Sequence, residues 1–451
     1  MDTIVALATP NGRSGIGVIR VSGDESIRVL GGLVRDENLR PEARKTVLKK
    51  IYDHEGEIDE ALVVCFFGPN SYTGEDVVEI SCHGSPVLLK RVLEICLDHG
   101  ARLAEPGEFT MRALANGRMD LSQAEAVRDL INANSLAMTR QAVRQLRGEF
   151  SHRLTPVKDE LLDVIVVLES ALEFVEDDLP EVEVRGLLDR LSGLESRLLK
   201  LADTYSSGRI LREGIRIALV GRPNVGKSSL FNALVGEESA IVTDVPGTTR
   251  DQIKENFLIG GIPVALIDTA GLRETEDQVE RIGVERSKRA MADADLVLVV
   301  LDGSQDVGIE DAGIIDDVEG LRSIVVVNKD DLFDKPPNLG ALVTEEAVIV
   351  SAKTGHGIDE LRSSILSMFA TDDGGENALD GFLVSDARHY DLLKRSAEGV
   401  SEARALLAEG KSEEIVLIGL HNAIRYLGEI TGETTTEDML TRVFSTFCIG
   451  K

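Results

Sequence analysis

A phosphate-binding pattern in the middle of the chain limits its possible folds more than any other sequence feature. Gly221–Ser228 reads GRPNVGKS and lies between an apolar strand candidate, Ile215–Val220, and a helix-forming stretch, Ser229–Val235. Glycines let backbone N–H groups turn inward as an anion nest, and the N-terminus of the following helix adds positive potential. The pattern predicts a phosphate loop in an α/β domain, with Lys227 at the β- and γ-phosphates and Ser228 on Mg²⁺.

Two further segments are expected to complete the magnesium site. Asp268-Thr269-Ala270-Gly271 directly follows the strand candidate Ile262–Ile267. Asp268 would hold Mg²⁺ through a water, and the Gly271 N–H would sense the γ-phosphate. In Gly247–Asp251 one threonine should close the metal shell when the γ-phosphate is present. The spacing favours Thr249, and an ordinary polar turn is the alternative.

The guanine-reading signature NKxD occurs at Asn328–Asp331, directly after the strand candidate Ser323–Val327. Asp331 can accept hydrogen bonds from guanine N1 and N2, which adenine does not offer. Ser351-Ala352-Lys353 ends the strand candidate Ala347–Val350 and resembles the loop that backs the guanine. Because the motifs follow one another in the order of a guanine-nucleotide-binding domain, the sequence predicts specificity for GTP.

Hydrolysis must be completed without the glutamine that many GTPases place after the DxxG glycine to orient the attacking water. This chain has Leu272 at that position, and a leucine side chain cannot hydrogen-bond to water. The acidic candidates nearby are Glu274, Glu276, Asp277 and Glu280, and a solvated acidic run is the alternative for most of them. No arginine finger can be assigned, since Arg250 and Arg273 are read equally well as surface charges.

The period of the apolar residues changes along the chain and indicates several domains. Short strand candidates and the helix candidate Ser85–His99 suggest an α+β fold at the start. The α/β segment that carries the nucleotide motifs has a further apolar strand candidate at Leu296–Leu301. Long amphipathic stretches, typical of an antiparallel bundle, flank the α/β segment: Ser122–Leu146, Leu154–Val175, Val184–Tyr205, Asp386–Leu407 and Glu413–Ile430. We therefore predict an α+β N-terminal domain (1–118), an α-helical bundle domain in two parts (119–212 and 373–451), and an inserted α/β P-loop G domain (213–372).

Composition narrows the classes of partner. The chain has 451 residues and a formal net charge of −29, which argues against a generic electrostatic grip on nucleic acid and against polybasic membrane binding. The sequence shows neither a secretory leader pattern nor an apolar run of bilayer length. Cys65, Cys82, Cys96 and Cys448 lack zinc or CxxC spacing. We expect a cytoplasmic protein, not attached to membranes, whose first three cysteines are core residues.

Segments at both ends of the chain add to the nucleotide motifs. They are Asp2–Ala6, Gly74–Asp76, Cys82–Gly84, Arg118–Ala126, Gly247–Asp251, Asp268–Arg273 and the tail Cys448–Lys451. Taken together, these residues resemble the MnmE (TrmE) family of tRNA-modification GTPases over the whole chain. The resemblance implies a GTP hydrolase that acts with an FAD-dependent partner, MnmG (GidA), on carbon 5 of the wobble uridine of certain tRNAs. A GTP-switched ribosome-assembly factor is the alternative, although such a factor would more often carry a basic RNA-binding module.

The resemblance also implies a folate site and a homodimer, both formed by the N-terminal domain. By position, 5-formyltetrahydrofolate or a related folate would contact Arg20, Glu79, Arg118 and Lys451. The family often has lysine where this chain has Arg118, so the charge is kept while the contact geometry differs. Cys448 is either a reactive thiol close to the folate or only a packed residue of the tail.

For the G domain the resemblance implies pairing of two G domains across the nucleotide. K⁺, held by Asn224, Thr243, Val245 and Thr248, would replace the arginine finger, and Glu280 would orient the attacking water through a second water. The residues then expected to contact GTP are Asn224, Val225, Gly226, Lys227, Ser228, Ser229, Thr243, Asp244, Val245, Pro246, Gly247, Thr248, Thr249, Asp268, Thr269, Ala270, Gly271, Asn328, Lys329, Asp331, Ser351, Ala352 and Lys353.

RNA contact has a weaker signal in the sequence. Arg140, Arg144 and Arg147 fall at i, i+4 and i+7 and form either an RNA-contacting stripe or a solvated helix face balanced by nearby acids. Because the chain is strongly acidic, we expect MnmG to supply much of the grip on tRNA.

Overall fold

The computed structural model describes residues 2–173, 181–236, 254–267, 291, 293–333, 347–369, 381–434 and 436–450. The chain divides into two compact units. The first comprises Met1–Ile131, Arg144–Ser192 and Glu398–Lys451, and the second comprises Asn132–Val143 and Gly193–Ala397. Within the described ranges no helix combines the length and the apolar character that crossing a bilayer requires.

A six-stranded sheet forms the N-terminal part of the first unit. Its strands are β1 (Ile4–Leu7), β2 (Ile16–Ser22), β3 (Val47–Tyr52), β4 (Glu57–Phe66), β5 (Val77–His83) and β6 (Arg102–Leu103). They lie in the order β3-β4-β5-β2-β1-β6, and all neighbours are antiparallel except β1 and β6. Helices α1 (Ser26–Val34) and α2 (Pro86–Asp98) cover one face, into which Ile19 and Val21 point. Since side chains alternate along a strand, Arg20 lies on the opposite face.

The described helices that follow α2 are α3 (Glu108–Ala115), α4 (Leu121–Ile131), α5 (Leu136–Leu146), α6 (Glu149–Glu173), α7 (Glu181–Asp203), α8 (Tyr205–Glu213), α9 (Lys227–Val235), α10 (Ile309–Asp317), α11 (Ile358–Ser367), α12 (Ala387–Ala408), α13 (Glu413–Thr431) and α14 (Glu437–Phe444). In the first unit α13 runs antiparallel to α6. Lys158 Nζ lies 2.5 Å from the Glu433 carboxylate near one end, and His421 Nε2 lies 3.3 Å from the Glu169 carboxylate near the other.

The second unit is built on a parallel sheet with one antiparallel edge strand. Its strands are β7 (Ile215–Val220), β8 (Lys254–Ile259), β9 (Ile262–Ile267), β10 (Leu296–Asp302), β11 (Ser323–Asn328) and β12 (Val348–Ile349). The order is β12-β11-β10-β7-β9-β8, with β8 antiparallel to β9. Every residue of the central strand β10 is buried. The segments that follow β7, β10, β11 and β12 leave the sheet at the same edge, where ligands bind in open α/β sheets.

The strand predictions for this sheet agree with the structure apart from one strand. The strands predicted at Ile215–Val220 and Ile262–Ile267 have the predicted bounds. Strand β8 was not predicted. It is an edge strand in which Phe257 and Ile259 are buried while Leu258 is 41% exposed, so its apolar signal is weak.

The helix predictions need two corrections. The single helix predicted over Ser122–Leu146 is wrong, because α4 ends at Ile131 and α5 begins at Leu136. The Ser135 hydroxyl accepts a hydrogen bond of 3.1 Å from the Met138 N–H and so caps the new helix. The prediction over Val184–Tyr205 missed that α7 is followed by a separate helix, α8, which leads directly into β7.

Candidate functional site

The phosphate loop connects β7 to α9 through left-handed backbone conformations. Asn224 has φ +63° and Gly226 has φ +98°, a region that asparagine and glycine tolerate best. A Cβ on Gly221 would lie 2.4 Å from the Val300 carbonyl oxygen, so the loop leaves β7 in close contact with β10. The backbone therefore explains why the pattern has glycine at these two positions and asparagine between them.

Lys227 is held at the loop by hydrogen bonds to backbone oxygens. Its ammonium donates to the carbonyl oxygens of Gly221 and Arg222, both at 2.7 Å. Ser228 and Ser229 follow in the first turn of α9 with exposed side chains. The first turn of a helix presents N–H groups without intrahelical partners, so this end of α9 is suited to an anion.

The base-reading motif is fastened to the phosphate loop. The Asn328 side-chain amide donates to the Val225 carbonyl oxygen at 3.0 Å, and its Oδ1 accepts from the Ala352 N–H at 3.0 Å. Lys329 Nζ donates to the Asn224 carbonyl oxygen at 2.9 Å. The structure thus brings together three of the predicted motifs, the phosphate loop, NKxD and the Ser351–Lys353 loop.

The partners of the Asp331 carboxylate favour its ionised form, which is the form that binds guanine. Its Oδ1 accepts from the Ser351 hydroxyl at 2.8 Å, and Lys353 Nζ lies 3.5 Å from its Oδ2. The hydrogen bond from Ser351, with the smaller help of the Lys353 charge and against desolvation, holds the pKa of Asp331 below its ordinary value of 3.8. An ionised carboxylate only accepts hydrogen bonds, which suits the N1–H and N2–H groups of guanine.

Two buried acids beside the phosphate loop were not predicted from the sequence. Asp302, the last residue of β10, accepts from Lys329 Nζ at 2.7 Å. Asp311, in the first turn of α10, accepts from Arg222 Nε at 2.6 Å. The signal for Asp302 was available, because an acid that ends a buried parallel strand lies at the same sheet edge as the phosphate loop.

Several predicted site residues lie outside the described part of the chain, and their roles stay predictions. They are Thr243, Asp244, Val245, Pro246, Gly247, Thr248, Thr249, Asp268, Thr269, Ala270, Gly271, Glu280 and Lys451. Of the predicted K⁺ ligands, the structure describes Asn224, whose side chain is exposed on the phosphate loop.

A second candidate site forms in the first unit, where the C-terminal tail meets the N-terminal sheet. Arg20 and Glu79 are direct neighbours on β2 and β5, and Arg20 Nε donates to Glu79 Oε1 at 2.9 Å. Arg20 Nη1 also donates to the Gly450 carbonyl oxygen at 3.3 Å, and its guanidinium lies 5.4 Å from the centre of the Tyr72 ring. We call Arg20, Tyr72, Glu79 and Gly450 the tail junction.

Backbone contacts fix the tail at this junction. Ile449 forms an antiparallel bridge with Pro106, and the Gly107 N–H donates to the Cys448 carbonyl oxygen at 3.4 Å. Gly450 has φ +97°, and a Cβ there would lie 2.5 Å from the Leu7 carbonyl oxygen. The tail therefore approaches the sheet more closely than a side chain at this position would allow.

Arg118 lies beside the tail junction, and among the described residues no hydrogen bond or ion pair joins it to Arg20 or Glu79. Its Nε donates to the Ser71 carbonyl oxygen at 3.1 Å, one residue before Tyr72. Arg118 as a whole is exposed. Of the four predicted folate contacts, the structure thus places Arg20 and Glu79 together and Arg118 on the adjoining segment, while Lys451 is not described.

The cysteines separate into two groups. Cys65, Cys82 and Cys96 are buried, as predicted for core residues, and burial raises their pKa values to about 11, 12 and 12. The side chain of Cys448 is exposed. Both readings of Cys448 stay predictions.

The predicted arginine stripe begins on α5, a helix without acidic residues. Arg140 and Arg147 are exposed and Arg144 is half-buried. Among the described residues, none of these three arginines forms an ion pair. The nearby acids that would balance a solvated face are therefore not seen in contact with them.

The fold and the nucleotide site define a multidomain P-loop GTPase, with an α+β N-terminal domain, an α-helical domain and an inserted α/β G domain. The family model of the GTP-binding protein TrmE N-terminus matches residues 3–118, and that of the MnmE helical domain matches residues 121–448. The tRNA modification GTPase MnmE of Koribacter versatilis is 47% identical over 455 residues, which cover 100% of this chain and 99% of that protein. The same-named protein of Aquifex aeolicus is 44% identical over 453 residues, with 100% of each covered. This chain belongs to the MnmE family of tRNA modification GTPases.

Proposed function

We propose that this chain is the GTPase subunit of an enzyme that modifies carbon 5 of the wobble uridine in certain tRNAs. It acts with an FAD-dependent partner, MnmG (GidA), in adding a carboxymethylaminomethyl or aminomethyl group. The chain is a GTP hydrolase of the MnmE family. The observation that carries the proposal is the convergence of Asn328, Lys329 and Asp331 with the phosphate loop, in a chain whose other domains match that family.

In this proposal the G domain binds GTP with Mg²⁺ and hydrolyses it to GDP and phosphate. Ser228 and Thr249 ligate Mg²⁺, and Asp268 reaches it through a water. The exposed hydroxyl of Ser228, one residue after Lys227 in the first turn of α9, fits this role. Glu280 orients the attacking water through a second water, since Leu272 cannot.

A bound K⁺ would supply positive charge beside the phosphates, in place of an arginine finger. Its protein ligands are Asn224, Thr243, Val245 and Thr248. Support for the site comes from Asn224, which the loop exposes in a left-handed conformation while Lys329 holds its backbone carbonyl. Pairing of two G domains across the nucleotide couples hydrolysis to movement of the rest of the chain.

The N-terminal domain binds 5-formyltetrahydrofolate or a related folate and forms the homodimer. Arg20, Glu79, Arg118 and Lys451 are the proposed folate contacts, and Cys448 is a candidate reactive thiol beside them. The tail junction supports this assignment, because it gathers an arginine, an acid and an aromatic ring around the end of the chain. A pterin ring has donors and acceptors that an arginine–carboxylate pair can bind in one plane.

The remaining proposals concern the surroundings of the enzyme. The chain works in the cytoplasm, and the arginine stripe makes a minor contact with tRNA while MnmG supplies the larger one.

The domain bounds that we propose are 1–118, 119–212, 213–372 and 373–451. The ribosome-assembly alternative has no support beyond the shared GTPase domain, because both other parts of the chain match models of the MnmE family.

The experiment that tests the proposed GTPase mechanism compares hydrolysis by the purified chain in K⁺ and in Na⁺ at equal ionic strength. We expect the rate to be roughly tenfold or more higher in K⁺, since a cation held at the transferring phosphate offsets charge that develops in the transition state. Equal rates would remove the cation mechanism. The same preparation, mixed with MnmG and tRNA, tests the modification by nucleoside mass spectrometry.

A further inference from the structure

The connection from β10 to α10 passes beside the phosphate loop and carries a carboxylate that the nucleotide motifs do not include. Asp302 is 6% exposed. Its Oδ1 accepts from the Ser304 N–H at 3.0 Å and from the Ser304 hydroxyl at 2.7 Å, while its Oδ2 accepts from Lys329 Nζ at 2.7 Å. The carboxylate is therefore fixed by its own loop on one side and bound to the base-reading motif on the other.

Lys329 connects Asp302 to the phosphate loop. Its ammonium lies between the Asp302 carboxylate and the Asn224 carbonyl oxygen, at 2.7 and 2.9 Å. Asn328, the preceding residue, holds the next carbonyl oxygen of the loop, that of Val225, with its amide at 3.0 Å. Asn328 and Lys329 thus bind two consecutive carbonyl oxygens of the phosphate loop, and Lys329 also binds Asp302.

The charge of Asp302 decides how well Lys329 keeps this position. Although desolvation opposes it, the hydrogen bonds from Lys329 and Ser304 hold the pKa of Asp302 below its ordinary value of 3.8, so the carboxylate is ionised near neutral pH. A lysine ammonium is a point charge on a flexible stem with freely rotating donors. Without an anion on the side opposite the Asn224 carbonyl oxygen, the Lys329 ammonium would be free to take other rotamers and leave that oxygen.

We propose that Asp302 is a positioning residue of the nucleotide site: it holds Lys329 against the Asn224 carbonyl oxygen and so keeps the phosphate loop in its binding conformation. The inference rests on the GTP site described above. It gives Asp302 no contact with the nucleotide, because it acts through Lys329. Its loss should therefore speed nucleotide release without adding to the loss of Lys329 itself.

The chain offers a matched control for the charge. Asp306 lies in the same connection, is exposed, and forms no ion pair or hydrogen bond among the described residues. Asp302→Asn keeps the size of the side chain and an oxygen that can accept from Ser304. It removes the negative charge and places an amide donor where one carboxylate oxygen accepted from Lys329. Asp302→Ser is a second variant, which shortens the side chain and keeps a hydroxyl acceptor.

The test is a double-mutant cycle on the full-length chain, read as the dissociation rate of fluorescent GDP. The variants are Asp302→Asn, Asp302→Ser, Lys329→Met, each Asp302 change combined with Lys329→Met, and Asp306→Asn. We expect Asp302→Asn to speed release about tenfold and Lys329→Met to speed it at least as much. Each combined variant should match Lys329→Met within about twofold, and Asp306→Asn should match the unchanged chain.

Two results would overturn the proposal. One is release from both Asp302 variants within about twofold of the unchanged chain. The other is rates that multiply in the combined variants, which would mean that Asp302 acts independently of Lys329. Melting temperatures measured without nucleotide show whether a variant is generally destabilised. A merely structural role of Asp302 would change the release rate by the same factor with and without Lys329→Met. Failure of the unchanged chain to bind GDP would instead count against the proposed function.

Discussion

The nucleotide site and the tail junction are built in opposite ways. The nucleotide site collects residues from the carboxyl edge of one parallel sheet, where the topology brings Asn224, Lys329 and Ser351 together. The tail junction joins Arg20 to Gly450, 430 positions later, through a hydrogen bond of 3.3 Å. Because the nucleotide site lies in the second unit and the tail junction lies on the N-terminal sheet of the first unit, substitutions should affect them separately.

Glu280→Ala should give the largest effect, and it should be confined to hydrolysis. We expect the single-turnover rate to fall about a hundredfold or more, since a positioned acid or base typically contributes two to four powers of ten. Affinity for GTP and for folate should change by less than about twofold. Asp277→Ala, a neighbouring acid, is the control. A large loss of GTP affinity, or an equal effect of the control, would show that Glu280 has a different role.

Asp331→Asn should reduce affinity for GTP by about two powers of ten, because it removes an acceptor that guanine pairs with and introduces a donor. Xanthosine triphosphate, which has a carbonyl where guanine has its amino group, should become the better ligand relative to GTP. Equilibrium binding of both nucleotides measures this change.

Asp330→Asn is the matched control for that substitution. Asp330 precedes Asp331 in a short 3-10 helix, Asp330–Leu332, and its carboxylate lies 2.8 Å from His356 Nδ1. We expect its preference for GTP to be unchanged. An unchanged preference in Asp331→Asn as well would refute the guanine assignment.

The amount that the sequence could predict differs between the two sites for a physical reason. Each nucleotide motif follows a buried strand, and parallel strands end at one edge, so Lys227, Asn328 and Asp331 could be placed together from their order alone. Nothing local in Arg20 or Glu79 indicates that they pair, and the register of two strands far apart in sequence is needed. Their assignment as folate contacts came from a family resemblance.

Within the nucleotide site the supporting acids were not predicted from the sequence. Asp302 and Asp311 contact Lys329 and Arg222 through side chains whose direction depends on packing.

The break between α4 and α5 was missed because the apolar period continues across it, while the cap that starts α5 is a single serine, Ser135. Motif order thus predicts which backbone segments meet, and packing decides which side chains support them.

Gly450→Ala should give a smaller effect, confined to the tail junction. The left-handed backbone and the nearby Leu7 carbonyl oxygen both oppose a Cβ at this position. We expect folate affinity, measured by calorimetry, to fall about tenfold while GTP hydrolysis stays within about twofold.

Gly410→Ala provides the control for that substitution. Gly410 also has a left-handed backbone, at φ +67°, yet nothing lies within 4 Å of the site of its Cβ. Folate affinity should be unchanged in Gly410→Ala. The two variants share a left-handed backbone, and only Gly450→Ala places a Cβ against a neighbouring atom. Loss of GTP hydrolysis together with folate binding in Gly450→Ala would contradict the separation of the two sites.

In the proposed function both sites serve one reaction on tRNA, and nucleoside mass spectrometry of tRNA from cells that lack this protein is its sharpest test. We predict that the carbon 5 modification of the wobble uridine disappears and that the unchanged chain restores it. Asp331→Asn and Gly450→Ala, which disturb different sites, should each restore it poorly. Fully modified wobble uridines in cells without the protein would refute the proposed role in tRNA modification.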